Sequence, residues 1–315
     1  MAAINANPSH LLKVVASSVA IARKAGSVIR GIMKGGDLGI VDKNEHSSGN
    51  FDPQTEADRA TQRIIVGSLT KQFPGLKVIG EEEDCDTADD ASLVLSLDEE
   101  VLQQKCPDEL ARLNIEDLVV WVDPLDGTAE FTEGNIDHVT VLIGISALGK
   151  SVAGVIHQPF FRYQQEPEVA GRTIWAIVGL DAFGIETSEV VPGRRIVTTT
   201  KSHSNKAVLE AVQAVQPDKV IRTGGAGYKV LQVIEGVADA YVFASPGCKK
   251  WDTCAPESVL RALGGKLTDI NGVDIAYDCL NEFKNLTGVL ATRLDHQSYV
   301  EKIPPSVKDV LGKSR

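Results

Sequence analysis

The chain has 315 residues, enough for one large domain or two moderate ones whose core needs no disulfides. It is 43% hydrophobic and 24% charged, the balance of an ordinary soluble globular protein. With 32 Lys and Arg against 43 Asp and Glu, its formal net charge of −11 argues against a nucleic-acid coat or a membrane-surface binder. It leaves room for a small anionic ligand whose charge a bound metal neutralises.

In chain order, the first element is an amphipathic helix opening near Ser9 and ending before Gly35-Gly36. Its apolar stretch 14–22, between Lys13 and Arg23, superficially matches the core of a signal peptide. No Lys or Arg stands in the first twelve residues, so the helix is the preferred reading. No apolar run approaches the ~20 residues of a membrane span. Residues 42–50 read as a polar loop, 55–73 as a helix stopped by Pro74-Gly75, and 77–80 as a short strand. Residues 81–100 hold ten acidic residues and no Lys or Arg, the pattern of a solvated loop.

The run 118–122 is apolar and rich in β-branched residues, which suits a buried strand. Segments 139–146 and 151–157 form a hairpin closed by Ala147-Leu148-Gly149-Lys150, with Gly149 free to take a positive φ. Residues 172–178 are a further strand. Val191-Pro192-Gly193 marks the boundary between an α+β half, 1–190, and an α/β half, 191–315. The second half alternates. Strand 196–200 is followed by helix 205–216, strand 219–222, a glycine-rich turn and a helix to Gly236. Strand 240–244, helix 252–263 and strand 266–268 complete it. The absence of a fixed-period repeat excludes solenoids and propellers.

Chemistry concentrates in Trp121-Val122-Asp123-Pro124-Leu125-Asp126-Gly127-Thr128, where a buried strand runs into two carboxylates with proline turning the chain between them. Asp123 and Asp126 could converge on hard cations, with a backbone carbonyl between them as a further oxygen ligand. Gly127 and Thr128 would offer backbone N–H groups to an anion. The same residues also suit an ordinary Asp-Gly turn. Asp52-Pro53-Gln54-Thr55-Glu56-Ala57-Asp58 ends at a helix start and is equally a capping pattern. Glu81-Glu82-Glu83 follows a strand, and Trp251-Asp252 opens a helix in which Asp252 could be a plain N-cap with Pro256 in the first turn. Together these put acids at four element ends. No Gly-x-Ser-x-Gly elbow or His-Glu-x-x-His competes with them, and Gly224-Gly225-Ala226-Gly227-Tyr228-Lys229 lacks the spacing of a Walker loop. The five cysteines, Cys85, Cys106, Cys248, Cys254 and Cys279, are odd in number and include no Cys-x-x-Cys pair. Reduced thiols in a cytoplasmic protein are expected, rather than disulfides or a zinc site. All-carboxylate sites suit Mg²⁺ better than Zn²⁺.

Taken in order, Asp-x-x-Thr-x-Ala-Asp, Gly-Glu-Glu, Asp-Pro-Leu-Asp-Gly-Thr and Trp-Asp span Asp52 to Asp252. This pattern resembles the lithium-sensitive, magnesium-dependent phosphatase superfamily that contains inositol monophosphatase. The segments Glu116–Asp123, Thr198–Lys206 and Gly247–Pro256 are most similar to its 3′(2′),5′-bisphosphate nucleotidase branch. Ala129 departs from that branch, which often has Lys there. The resemblance implies an α/β fold, a layered αβαβα sandwich. The first half would carry the metals, and the second would complete the active site and nucleotide pocket. It implies Mg²⁺ held by Glu81, Asp123, Asp126, Asp252 and the Leu125 carbonyl, with Asp58 and Thr128 orienting and deprotonating the attacking water. Gly127 and Thr128 would hold the phosphate, and Thr200, His203, Gly225 and Lys229 would surround the nucleotide. The implied reaction is hydrolysis of 3′-phosphoadenosine 5′-phosphate to AMP and phosphate by a cytoplasmic enzyme of sulfur metabolism, without nucleic-acid or membrane partners. Inositol polyphosphate 1-phosphatase shares the same blocks and is the alternative. A binding-only nucleotide sensor fits poorly, because Asp58 and Thr128 are both present.

Overall fold

A computed structural model describes residues 8–44, 51–82, 89–166, 171–189, 191–278 and 282–312. Glu83, Cys85, Cys279 and parts of the two expected loops lie outside these residues. Helix α1 (His10–Gly35) starts where Ser9 Oγ accepts the Leu12 N–H and ends at Gly36 in the left-handed region. The short strands β1 (Val41–Asp42) and β2 (Pro53–Gln54) pair antiparallel ahead of α2 (Glu56–Gln72). Strand β3 (Lys77–Gly80) follows, and a short helix α3 (Glu99–Leu102) ends the acidic stretch.

Strand β4 (Leu118–Asp126) runs beyond the expected 118–122. The chain does not leave the sheet at Pro124. It carries on through a register shift between Asp123 and Asp126, the kind of irregularity that admits a residue with no N–H to donate. After α4 (Thr128–Thr132) come β5 (Thr140–Ala147), β6 (Lys150–Gln158), β7 (Arg172–Ile177) and β8 (Asp181–Phe183). The six-stranded sheet has the order β3-β4-β5-β6-β7-β8, with β3 and β4 parallel and every later pair antiparallel. The β5–β6 hairpin turns through Leu148 and Gly149, both at positive φ, as a tight two-residue loop requires.

The second half contributes β9 (Ile196–Thr200), α5 (Lys206–Ala214), β10 (Lys219–Thr223), α6 (Ala226–Glu235), β11 (Ala240–Phe243), α7 (Lys250–Ala262), β12 (Lys266–Thr268), β13 (Val289–Thr292), α8 (His296–Lys302) and α9 (Pro305–Gly312). The five-stranded sheet has the order β10-β9-β11-β13-β12. Strand β9 is parallel to β10 and β11, and β13 is antiparallel to β11 and β12. Helices α5 and α6 leave β9 and β10 on opposite faces, so Thr200 ends a strand at a topological switch point, where α/β sheets collect ligands. One expectation needs correcting. Helix α7 opens at Lys250, so Asp252 is not its N-cap. Asp252 lies within the first turn and accepts the Lys249 N–H at 2.7 Å, while Pro256 falls deeper in the helix.

Helices α1 and α2 cover one face of the six-stranded sheet, and α6 and α7 pack between the two sheets. Helices α5, α8 and α9 lie outside the second sheet, which completes an αβαβα sandwich. Leu11, Leu12, Val15, Val19 and Ile29 of α1 pack with Val120, Val122, Ile143 and Val155 of the sheet. Leu142, Ile156 and Ile174 face the other way and join Val230, Ile234, Val259 and Leu260 of the central helices. Cys106, Cys248 and Cys254 are free and buried, and among the described residues no helix is long and apolar enough to cross a membrane.

Helix α1 packs on β6 at Gly26, where an added Cβ would lie 2.0 Å from Nε2 of His157. His157 is 1% exposed, its Nδ1 pairs with Thr173 Oγ1 at 2.9 Å, and burial pushes its pKa down to about 3. Alanine is the better helix former by about 1 kcal/mol. The expected effect of Gly26→Ala is nevertheless a loss of about 1–3 kcal/mol, because overpacking outweighs propensity. Urea unfolding measures it, and a stabilised variant would show that the imidazole yields at no cost.

Candidate active site

The two halves meet at the end of β4. Asp126 is 6% exposed, and its carboxylate points into the start of α6. Its Oδ1 accepts the Ala226 N–H at 2.7 Å, and its Oδ2 accepts the Gly227 N–H at 2.9 Å and the Thr140 hydroxyl at 2.9 Å. These amides are orphan donors of a helix start, where a negative charge is favoured. Gly225 precedes them at φ +67, and a Cβ there would lie 2.9 Å from the His138 carbonyl oxygen and 3.1 Å from Asp126 Oδ2. Close approach of three segments therefore requires glycine at this position.

Asp58 sits in the first turn of α2 and is 1% exposed. Its Oδ2 accepts the Thr55 N–H at 2.7 Å, closing a capping box, while its Oδ1 accepts the Thr128 hydroxyl at 2.9 Å. The capping and catalytic readings of Asp58 are thus compatible, one oxygen serving each. Thr128 Oγ1 also lies 3.1 Å from the Leu125 carbonyl. Burial raises the Asp58 pKa to about 6, with Glu82 adding to the rise and the Thr55 and Thr128 hydrogen bonds opposing it.

Asp123 is 2% exposed and accepts the Leu125 N–H at 3.1 Å. Burial holds its pKa well above the ordinary carboxylate range, and the negative charges of Glu81, Asp126, Asp252 and Asp58 push the same way. Asp252 is raised to about 7 by burial and by Glu81. Glu81 behaves oppositely. Lys43 and Lys249 place their ammonium groups 3.1 and 3.4 Å from its Oε1 and hold its pKa down against burial. Neighbouring Glu82 is gripped by Lys43 at 2.8 Å, by Gln54 and by Gln62.

The donor set of Glu81, Asp123, Asp126, Asp252 and the Leu125 carbonyl is all oxygen, and neighbouring acids add to the burial that raises the Asp123 and Asp252 pKa values. That chemistry fits a hard divalent cation, which would relieve the repulsion. Among the described residues, however, no three His, Cys, Asp or Glu side chains close on a common point as metal ligands. Glu81 is instead occupied by its two lysines, and both Asp126 oxygens already accept hydrogen bonds.

The residues expected around the nucleotide lie along β9, β10 and α6. Thr200 is buried at the end of β9, and its Oγ1 accepts the His203 N–H at 3.1 Å. The His203 side chain is exposed, with Nδ1 2.9 Å from Ser202 Oγ. Lys229 is 5% exposed, donates to the Gly225 carbonyl at 2.7 Å and lies over the Tyr241 ring. Burial lowers its pKa. Sequence reasoning assigns no role to Lys43, Thr140, His138 or Lys249. Thr140 had a signal, since it opens the strand that pairs with Asp126. Lys43 had none, because its contact with Glu81 crosses between unrelated segments.

The sequence profile of the inositol monophosphatase family matches residues 10–305. The chain is 52% identical over 303 residues to a protein of Homo sapiens named 3′(2′),5′-bisphosphate nucleotidase 1, covering 96% of this chain and 97% of the human one. It is 42% identical over 305 residues to the protein of the same name from Dictyostelium discoideum, covering 93% and 96%. Among solved structures, the extragenic suppressor protein SuhB of Bartonella henselae superposes with a TM-score of 0.64 at 23% identity, covering 90% of this chain and 96% of that one. The match over nearly the whole chain, to sequence profile, relatives and fold alike, makes this protein a member of the inositol monophosphatase family.

Proposed function

We propose that the chain is a Mg²⁺-dependent phosphatase that hydrolyses 3′-phosphoadenosine 5′-phosphate to AMP and phosphate. The observation that carries this reading is the Asp58–Thr128 hydrogen bond beside the carboxylate group, in a chain whose relatives are named as bisphosphate nucleotidases. The family is generally metal-dependent, and Glu81, Asp123, Asp126, Asp252 and the Leu125 carbonyl would hold the ions. When bound, Mg²⁺ would lower the pKa of the attacking water and offset charge on the phosphate.

The protein's own part is positioning and proton transfer. Thr128 Oγ1 donates to Asp58, which leaves its lone pair to receive a proton from water as its own proton passes to Asp58 Oδ1. The Gly127 and Thr128 amides would receive the phosphate oxygens. Thr200, His203, Gly225 and Lys229 would take the rest of the nucleotide. In this reading 1–190 carries the metals and 191–315 closes the pocket. The free, buried cysteines support a reducing compartment, the cytoplasm.

The deciding assay is phosphate release with Mg²⁺ from 3′-phosphoadenosine 5′-phosphate and, separately, inositol 1,4-bisphosphate, each with and without Li⁺. Preference for the nucleotide, lost with Li⁺, is the expected result. Preference for the inositol phosphate would overturn Thr200, His203, Gly225 and Lys229 as nucleotide contacts.

Two variants test the site itself. Asp58→Asn removes the proton acceptor, and a fall in kcat of about 10²–10⁴-fold is expected. In the wild type, Asp58 must be ionised to accept. Its raised pKa therefore places the rising limb of kcat/KM at about pH 6 rather than near pH 4. A profile flat from pH 5 to 8 would remove Asp58 from this role. Asp126→Asn should abolish turnover and also cost about 1–2 kcal/mol of stability, because the α6 amides lose their charged acceptor. Thermal unfolding and phosphate release on one preparation read both.

A further inference from the structure

His138 belongs to none of the roles assigned so far, yet the site is built around it. Its carbonyl oxygen stands between the two glycines that precede α4 and α6. A Cβ on Gly127 would lie 3.3 Å from that oxygen, and one on Gly225 2.9 Å. Nδ1 lies 3.2 Å from Oε2 of Glu130, a carboxylate that is 5% exposed. Lys201, next to Thr200, reaches the other Glu130 oxygen at 3.7 Å. Glu130 in turn fills the space that a Cβ on Gly224 would need, at 2.2 Å. On its flat side the imidazole packs on Tyr228 of α6, with ring centroids 4.6 Å apart and planes 31° apart.

These contacts fix the ring without using all of it. Nδ1 is held by a buried carboxylate and one face by Tyr228, while the side chain keeps 26% of its surface exposed. The remaining polar atom, Nε2, is directed away from the Glu130 bond by the geometry of imidazole itself. The His138 carbonyl oxygen lies against Gly127, beside the proposed phosphate site, and against Gly225, while Lys201, next to Thr200, reaches the Glu130 that holds the ring.

Building on the proposed nucleotidase reading, we infer that His138 is a specificity-determining residue, whose Nε2 hydrogen-bonds the nucleoside of the substrate while Glu130 and Tyr228 hold the ring in place. The bond contributes to binding and not to the chemical step. Its loss therefore raises KM and leaves kcat in place. It also discriminates, because an anion without a nucleoside has nothing for Nε2 to meet.

The test is His138→Asn, whose amide keeps the donor to Glu130 and removes the outer nitrogen. KM for 3′-phosphoadenosine 5′-phosphate should rise about tenfold, the worth of one hydrogen bond. The kcat should stay within about twofold, and inhibition by inorganic phosphate should keep its strength. An unchanged KM overturns the inference. So does equal weakening of nucleotide and inorganic phosphate, which would mean that the ring only props up the site. A second measurement uses the wild-type protein, so it does not depend on how the variant folds. The ¹⁵N resonance of His138 Nε2 should shift on addition of AMP and not on addition of inorganic phosphate, and a shift with neither overturns the inference. If the wild type released no phosphate from the nucleotide, the functional reading would fall on its own, while the AMP titration would still report whether His138 meets a nucleoside.

Discussion

The arrangement of this protein depends on one carboxylate at one helix start. Asp126 ends the bulged strand of the six-stranded sheet, and the amides of Ala226 and Gly227 open the helix between the sheets. A helix N-terminus carries unsatisfied donors and a partial positive charge, and a buried aspartate carries an unsatisfied negative one. Each solves the other's problem. Gly225 lets the backbones come close enough, and Thr140 takes part of the load from the neighbouring strand. The join also brings the acids of the first half beside Gly225 and Lys229 of the second.

The electrostatics around that join are unbalanced in an informative way. Asp58, Asp123 and Asp252 all have raised pKa values, with burial the first cause for each. Glu81 escapes because two lysines attend it. A protein that needed only stability would gain by replacing such a cluster with packed apolar groups. Keeping several buried acids within reach of one another makes sense when a cation and a phosphate complete the set. The overall charge of −11 then follows without contradiction, since the substrate's charge is not left to lysines alone.

Most of the framework was legible because its elements announce their ends. Ser9 caps α1, Thr55 and Asp58 box α2, and Gly36 and Gly236 stop α1 and α6 with the left-handed backbone expected of glycine. What sequence missed has physical reasons. The expected turn at Pro124 is a strand irregularity, because a register shift against β5 accommodates a residue with no N–H to donate. The strand β13 inserts between β11 and β12 out of chain order, and nothing local encodes such a placement. At the site, the acids were visible as motifs with chemistry of their own. Lys43 and Lys249 were not, since each meets Glu81 from 38 and 168 positions away in the chain. The plain N-cap alternative for Asp252 fails because the helix starts earlier, at Lys250, and the side chain turns back to the Lys249 N–H.

The same join has a bearing on how the chain is made. Asp126 and Ala226 are separated by 100 positions in the chain. At a synthesis rate of about 5–20 residues per second, roughly 5–20 seconds pass between the appearance of the carboxylate and that of the amides that receive it. During that interval the first sheet, built largely from sequential antiparallel pairs, can already form. Until the central helix arrives, Asp126 keeps the Thr140 hydroxyl but lacks the two backbone amides. The carboxylate at the join is therefore made well before the helix start that receives it.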